Sequence, residues 1–387
     1  MRYELEPEAV ENGSLAPAIK NPVSTAPGSD FSRVRELILK HGWNSTCFQI
    51  VNPGIEYWFG SNNESVVGYV STATTRVVAG APVCREEDLP GVVIEFESNS
   101  KNANQTVCYF GAEARLESVL KKSDDHSKIL LGAQPCWNPS RWPEIVAGHS
   151  SLRAQLNRAR NKGVTVTEWP IDRARDNAEL NECLSVWLSS KGLPPLHFMV
   201  EPDTLGRLEN RRILVAEHKQ KVVGFLLLSP IPNRNGWLTE QFPHRPSAPN
   251  GTVELMMDAG MRALGEGRYE YVTLGLAPLS KRAKIEPFDN PLWLRLLLAW
   301  MRKHGQRFYN FDGLDSFKAK LAPDRWEPIF AISNEPEFSG GTLYSIASAF
   351  SGNEPFRLIS GGLFRAAQTE IARFKKFLFR KPSAETK

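Results

Sequence analysis

Two stretches of the chain share one rhythm of apolar and polar positions. Glu56–Val70 (EYWFGSNNESVVGYV) and Arg212–Leu228 (RILVAEHKQKVVGFLLL) each run from a β-rich segment through a polar turn into a second β-rich segment with Val-Val-Gly-aromatic. The pattern predicts two hairpins of buried strands, turning at Asn62-Asn63 and at Lys219-Gln220. A helical pattern precedes each, over Phe31–His41 and over Asn177–Ser190. Leu152, Leu156 and Ala159 form one apolar stripe in a third helix, Ser151–Lys162, whose cations Arg153, Arg158, Arg160 and Lys162 project elsewhere. Further on, Trp237–Phe242 reads as a strand, Thr252–Leu264 as a helix and Tyr269–Leu276 as a strand.

Helix, hairpin, then strand-helix units is the order of the GNAT acyltransferase fold, and here it occurs twice. The expected class is α/β (α+β): tandem GNAT-like domains with mixed central sheets, plus a C-terminal basic amphipathic helix. The boundary is placed at Pro139–Ser151, where NPSRWPEIVAGHSS gives way to the basic helix. The expected layout is a disordered lead-in at 1–30, a first domain at 31–145, a second at 146–340 and a basic tail at 341–387.

Composition narrows this picture. With 387 residues, 41% of them apolar, the chain can bury a sizeable core. Its five cysteines form no CxxC pair and match no histidine spacing, so neither a disulfide framework nor a zinc site is expected, and a reducing cytoplasm fits. Met1–Asp30 has no apolar stretch and reads as neither signal peptide nor anchor. The most apolar windows, Val222–Leu228 and Pro291–Met301, fall short of the ~20 residues of a spanning helix. A net charge of +4 says little by itself. Between Phe356 and Lys381, however, seven basic residues face one acid, Glu370, with aromatic and aliphatic residues interleaved. Such a tail can lie on an anionic membrane, where each cation is worth about 1 kcal/mol, or can pack on its own domain with a solvated face.

Candidate chemistry comes next. Arg262-Ala-Leu-Gly-Glu-Gly267 matches the letters of a coenzyme A pyrophosphate loop, but between a predicted helix and strand Gly265 and Gly267 read as helix-terminating glycines. The loop's proper place, after Trp237–Phe242, holds Ala248-Pro-Asn-Gly-Thr252. Asn250, Gly251 and Thr252 open a helix there, a place that either receives an anion or is simply a turn and cap. Arg153, Arg158 and Arg160 suit a phosphodiester backbone, or form a solvated helix face. No HExxH, Gly-x-Ser-x-Gly or P-loop stands in the chain, which disfavours metal-dependent and serine hydrolysis.

Four ordered blocks carry a resemblance: Leu152–Arg160 (LRAQLNRAR), Ala248–Glu254 (APNGTVE), Leu274–Ser280 (LGLAPLS), and Tyr309–Lys320 (YNFDGLDSFKAK) followed by Trp326-Glu-Pro328. In order and spacing they resemble the C-terminal synthase domain of the phosphatidylglycerol lysyltransferase family over roughly Ser151–Ala331, with a weaker likeness at Val77–Glu87. The family looks like tandem GNAT domains akin to Fem-type aminoacyltransferases. The resemblance implies transfer of an amino acid from aminoacyl-tRNA to the glycerol hydroxyl of phosphatidylglycerol, at the inner face of the cell membrane. It implies no metal or other cofactor, with aminoacyl-tRNA as co-substrate and the anionic phospholipid surface as partner. The multi-span flippase region that commonly precedes the synthase is not among these residues, which leaves the acceptor and the product's transport open. A soluble hydroxyl acceptor, or binding without transfer, are the alternatives. Within the matched blocks, Glu254 and Asp312 are candidates for base or ammonium recognition, or else a helix-dipole partner and a turn residue. Lys318, Lys320 and Arg325 are candidates for phosphate contacts, and Ser280 for a direct contact.

Overall fold

The computed structural model describes residues 29–121, 123–190, 197–283 and 311–352, with the side chains of 29, 311 and 312 outside the description. The first half runs α1 (Ser29–His41), β1 (Glu56–Phe59), β2 (Val66–Ser71), β3 (Thr75–Ala79), α2 (Leu89–Asn102), β4 (Thr106–Ala112), α3 (Ala114–Leu120) and β5 (Ser127–Trp137). Two helices follow, α4 (Trp142–Gly148) and α5 (Ser150–Asn161), so the segment expected to be a link is largely helical and buries Trp142. The chain continues through β6 (Val164–Trp169), α6 (Ile171–Ala174), α7 (Ala178–Ser190), β7 (Arg212–His218), β8 (Lys221–Ile231), β9 (Gly236–Gln241), α8 (Thr252–Glu266), β10 (Tyr271–Thr273) and β11 (Ala277–Pro278). It ends in α9 (Phe311–Lys320), β12 (Arg325–Ser333) and α10 (Gly340–Phe350). The basic residues of the expected tail, Arg357 to Lys381, lie outside the described residues, as does the apolar window at 291–301.

Both hairpins form as the pattern predicts. Lys219 and Gln220 both take positive φ, 52° and 62°, which gives the two-residue turn the twist of its flanking strands. Asn177 caps α7, its side-chain oxygen accepting the amides of Glu179 and Leu180. Of the two glycines expected to end α8, Gly267 is its C-cap, while Gly265 lies in the last turn against the Pro139 backbone; Arg268 takes the left-handed conformation beyond the end.

Among the described residues twelve strands join one sheet, in the order β1-β2-β3-β4-β12-β5-β10-β9-β8-β7-β6, with β11 added beside β5. This order is nearly palindromic about the β12–β5 pair. An antiparallel trio, a crossover helix and a parallel strand occur as β1-β2-β3, α2, β4 on one side and as β7-β8-β9, α8, β10 on the other. The halves are thus two GNAT-like units, and they exchange their last strands: β12 of the second pairs with β4 of the first, while β5 of the first pairs with β10. At the seam β12 and β5 lie antiparallel over nine residues, Arg325–Ser333. One core lies under α4, α5 and α8 around Trp137, Trp142, Leu226 and Met256. A second lies under α2 and α3, and a third joins α1 to the segment 47–51 and α10. Among the described residues no helix is long and apolar enough to cross a membrane.

Candidate functional site

The pseudo-twofold relation permits a direct comparison of the two halves where their parallel strands end. In the first half β3 and β4 stay paired to Ala79 and Phe110, and the Gly80 amide donates to the Phe110 carbonyl at 2.7 Å. Just beyond, Gly80 (φ +80°) lies against Asn44 and Thr46 so closely that a Cβ would collide, and Asn44 Nδ2 donates to the Gly111 carbonyl at 3.1 Å. The chain's own segment 44–46 fills this place.

In the second half the parallel pairing is shorter. β9 and β10 pair only from Gly236–Tyr271 to Leu238–Thr273; β9 then continues through Gln241, paired with β8 alone. Just past the parting, the Lys318 ammonium of α9 donates to the carbonyls of Leu274, Gly275 and Leu276 at 2.8 Å each. Burial of Lys318, which is 3% exposed, pulls its pKa down to about 7, against the opposing pull of Asp315. Between α9 and α8, Lys320 Nζ donates to Glu254 Oε1 at 3.2 Å, and the Phe242 and Phe317 rings meet edge to face at 6.1 Å. Thr239 Oγ1, one residue past the last β9–β10 pair, is buried without a partner among the described residues, as is Gln241 Oε1.

The structure sorts the expected residues. Glu254 and Lys320 come together from blocks far apart in sequence. Lys318 corrects the expectation of a phosphate contact, since its donors are spent on the chain itself. Ser280 is likewise engaged, donating to Asp315 Oδ1 at 2.6 Å beside Arg282. Gly251 (φ +93°) starts α8 packed on the Gln155 carbonyl of α5, and the Thr252 hydroxyl donates to Pro249 at 2.6 Å. At this helix start Gly251 and Thr252 are buried, Asn250 is exposed, and no side chain caps the first turn. Arg153 closes the end of α4 on the carbonyls of Val146 and Ala147, Arg160 pairs with Asp258, and Arg158 is exposed. Asp312 is on α9 with its side chain outside the described residues.

Arg325 belongs to a second cluster, at the seam between the halves. There Arg234 donates to Glu113 Oε2 at 2.9 Å and to Glu327 at 2.8 and 3.0 Å, while stacking 3.5 Å from the Tyr271 ring centre. The Tyr271 hydroxyl donates to Glu327 Oε2 at 3.0 Å, and Arg325 adds a bond to Oε1 at 2.9 Å. Sequence reasoning quoted Glu327 only inside the Trp-Glu-Pro block and passed over Arg234, Glu113 and Tyr271. The one local signal was Asn235-Gly236, a turn pair directly after Arg234.

The two carboxylates shift oppositely. Burial raises Glu113; at Glu327 burial is outweighed by the guanidiniums of Arg234 and Arg325, which hold it at about 2 against an ordinary 4.5. A depressed acid adds stability that is complete above its unfolded value and is lost as pH falls toward its folded one. Between pH 5 and 2.5 the wild type is expected to lose on the order of 2 kcal/mol more than Glu327→Gln in urea titrations. Parallel decline of the two proteins would assign the acid sensitivity elsewhere.

Comparison with known proteins is consistent with this geometry. A family profile described as "Phosphatidylglycerol lysyltransferase, C-terminal" matches residues 35–333. A phosphatidylglycerol lysyltransferase of Bacillus subtilis (strain 168) is 23% identical over 271 residues, covering 69% of this chain; the chain spans about a third of that relative, 31%. The crystal structure of the C-terminal domain of a putative lysylphosphatidylglycerol synthetase from Agrobacterium fabrum superposes with a TM-score of 0.70 at 22% identity, covering 84% of this chain and 98% of that one. L-PGS from Bacillus licheniformis gives 0.69 at 18% identity, over 85% and 98%. At these identities the structures show a shared fold.

Proposed function

Because the chain belongs to the phosphatidylglycerol lysyltransferase C-terminal family, we propose that it transfers an aminoacyl group from aminoacyl-tRNA to a hydroxyl of phosphatidylglycerol at a membrane surface. The observation that supports the reading most is the parting of β9 and β10 in the half that holds the Glu254–Lys320 pair. An aminoacyl ester is already activated, so the reaction needs a positioned hydroxyl, a base and a donor for the oxyanion. Glu254 takes the hydroxyl proton as the acceptor oxygen attacks the ester carbonyl. Collapse of the tetrahedral intermediate expels the ribose oxygen, which recovers that proton from Glu254. The products are an aminoacyl ester of the lipid and deacylated RNA. The Thr239 hydroxyl, without a partner among the described residues, is a candidate oxyanion donor.

The test is a vesicle assay. Purified protein, phosphatidylglycerol vesicles and transfer RNA charged with radiolabelled amino acids are expected to yield ribonuclease-sensitive label in the organic phase. Label leaving the RNA for a water-soluble product in the presence of cell extract would replace the lipid by a soluble acceptor. No turnover of any charged RNA would sink the transferase reading.

A further inference from the structure

Helix α5 carries Arg153, Arg158 and Arg160, with Lys162 at its C-cap, and has no acidic residue. Its apolar residues Leu152, Leu156 and Ala159 are all buried, so its outward positions are polar, charged or small. Asp258 of α8, 2% exposed, extends this face. Its Oδ2 accepts from Arg160 at 2.6 Å; its Oδ1 accepts from Arg262 at 3.0 Å and from Trp142 Nε1 at 2.9 Å. One buried carboxylate thereby fixes two guanidiniums whose side chains remain 47% and 43% exposed, and a positive charge is left over. Held guanidiniums lose little freedom on meeting a phosphate, which favours their use for backbone contacts.

The face also has a direction. Gly251, at the start of α8, touches α5 at Gln155, and Glu254 follows three residues later; Arg262 lies two turns further along. The 15 residues of α8 span about 20 Å, with Glu254 in the first turn and Arg262 toward the other end. Glu144 on α4 and Glu266, at the end of α8 remote from Glu254, are the exposed carboxylates on these helices.

Resting on the transferase reading above, we propose that the outer face of α5 and α8 is the docking surface for the RNA arm that delivers its aminoacylated end to Glu254. The partner is a nucleic-acid backbone rather than a lipid surface, because a helix lying on a membrane turns large apolar side chains outward. The large exposed apolar residues among those described, Leu39, Ile94, Val200 and Tyr344, all lie on other elements.

The test pairs Arg158→Glu with Lys162→Glu, both exposed and neither touching Asp258, and measures binding of total bacterial transfer RNA over a salt series. Affinity is expected to fall at least about tenfold near 0.1 M salt, with the log–log salt slope reduced by roughly two. Melting temperature and binding to phosphatidylglycerol vesicles should stay unchanged. Lys101→Glu with Lys121→Glu, the same charge change on the first half, should leave affinity near wild type. Wild-type binding undiminished by the α5 pair, or equally weakened by the control pair, overturns this surface and leaves the transferase reading standing. So does loss of vesicle binding with RNA binding retained, which would make the face a lipid contact. Failure of the wild type to bind transfer RNA at all overturns both.

Discussion

Cutting the chain after Asn138 is expected to leave two fragments, neither of which folds alone, and which copurify as one complex when expressed together. The reason is the exchange of last strands. In residues 1–138, β4 loses its β12 neighbour and β5 loses β12, β10 and β11, so an 11-residue strand is left with bare edges. The other fragment loses β5, the strand that separates β12 from β10, and with it the hydrogen bond from Trp137 Nε1 to Leu321. The Arg234 cluster fails at the same time, because Glu113 and Gln134 come from one fragment while Arg234, Tyr271 and Glu327 come from the other. Arg234 keeps Glu327 on its own fragment but loses Glu113, a charge-assisted hydrogen bond of about 1.5–3 kcal/mol, a large share of a domain's stability. Circular dichroism melts of each fragment and of the coexpressed pair decide the matter. A sharp cooperative transition in residues 1–138 alone would show that the first half closes its own sheet, with β4 pairing directly to β5.

What the sequence reveals here is local. The two hairpins were legible because period-two runs and a polar turn lie within about 17 residues, and the α5 stripe because a 3.6-residue period needs only one helix. Strand exchange leaves no such trace: β12 is inserted between β4 and β5, and a swapped strand has the same alternation as an unswapped one. Lys318 shows a different limit. Charge suggests a substrate contact, and only tertiary placement shows its three donors turned to Leu274, Gly275 and Leu276. The flanking Phe317 and Leu321, both packed into the core, were the available hint that this side of α9 faces inward. Glu254 was found by block resemblance, but its partner Lys320 became visible only with the fold, since 66 residues separate them.

That pair sets the second expectation: Glu254→Gln should lower turnover in the vesicle assay by at least about 100-fold while KM for charged RNA stays close to wild type. General-base assistance is worth roughly 10²–10⁴-fold, and an amide of the same shape cannot take the hydroxyl proton. Loss in kcat without loss in KM marks an interaction made in the transition state, whereas a purely structural ion pair would show itself in melting temperature first. The fold is expected to survive, because Lys320 is 36% exposed and can be solvated once its partner is neutral. A neighbouring carboxylate does not offer ready replacement: Asp315 is bound by Ser280 and Arg282, and Asp258 by Arg160, Arg262 and Trp142. Glu254→Asp keeps the acid but withdraws it by one methylene, about 1.5 Å, and should retain an intermediate rate, since misplacement of that size costs on the order of 10²-fold or less. Lys320→Met separates the roles further. Removing the cation leaves the base in place, so its kcat should exceed that of Glu254→Gln. Wild-type kcat in Glu254→Gln would make the pair a fastening between α8 and α9 and return the search for the base to Asp312 on the same helix α9.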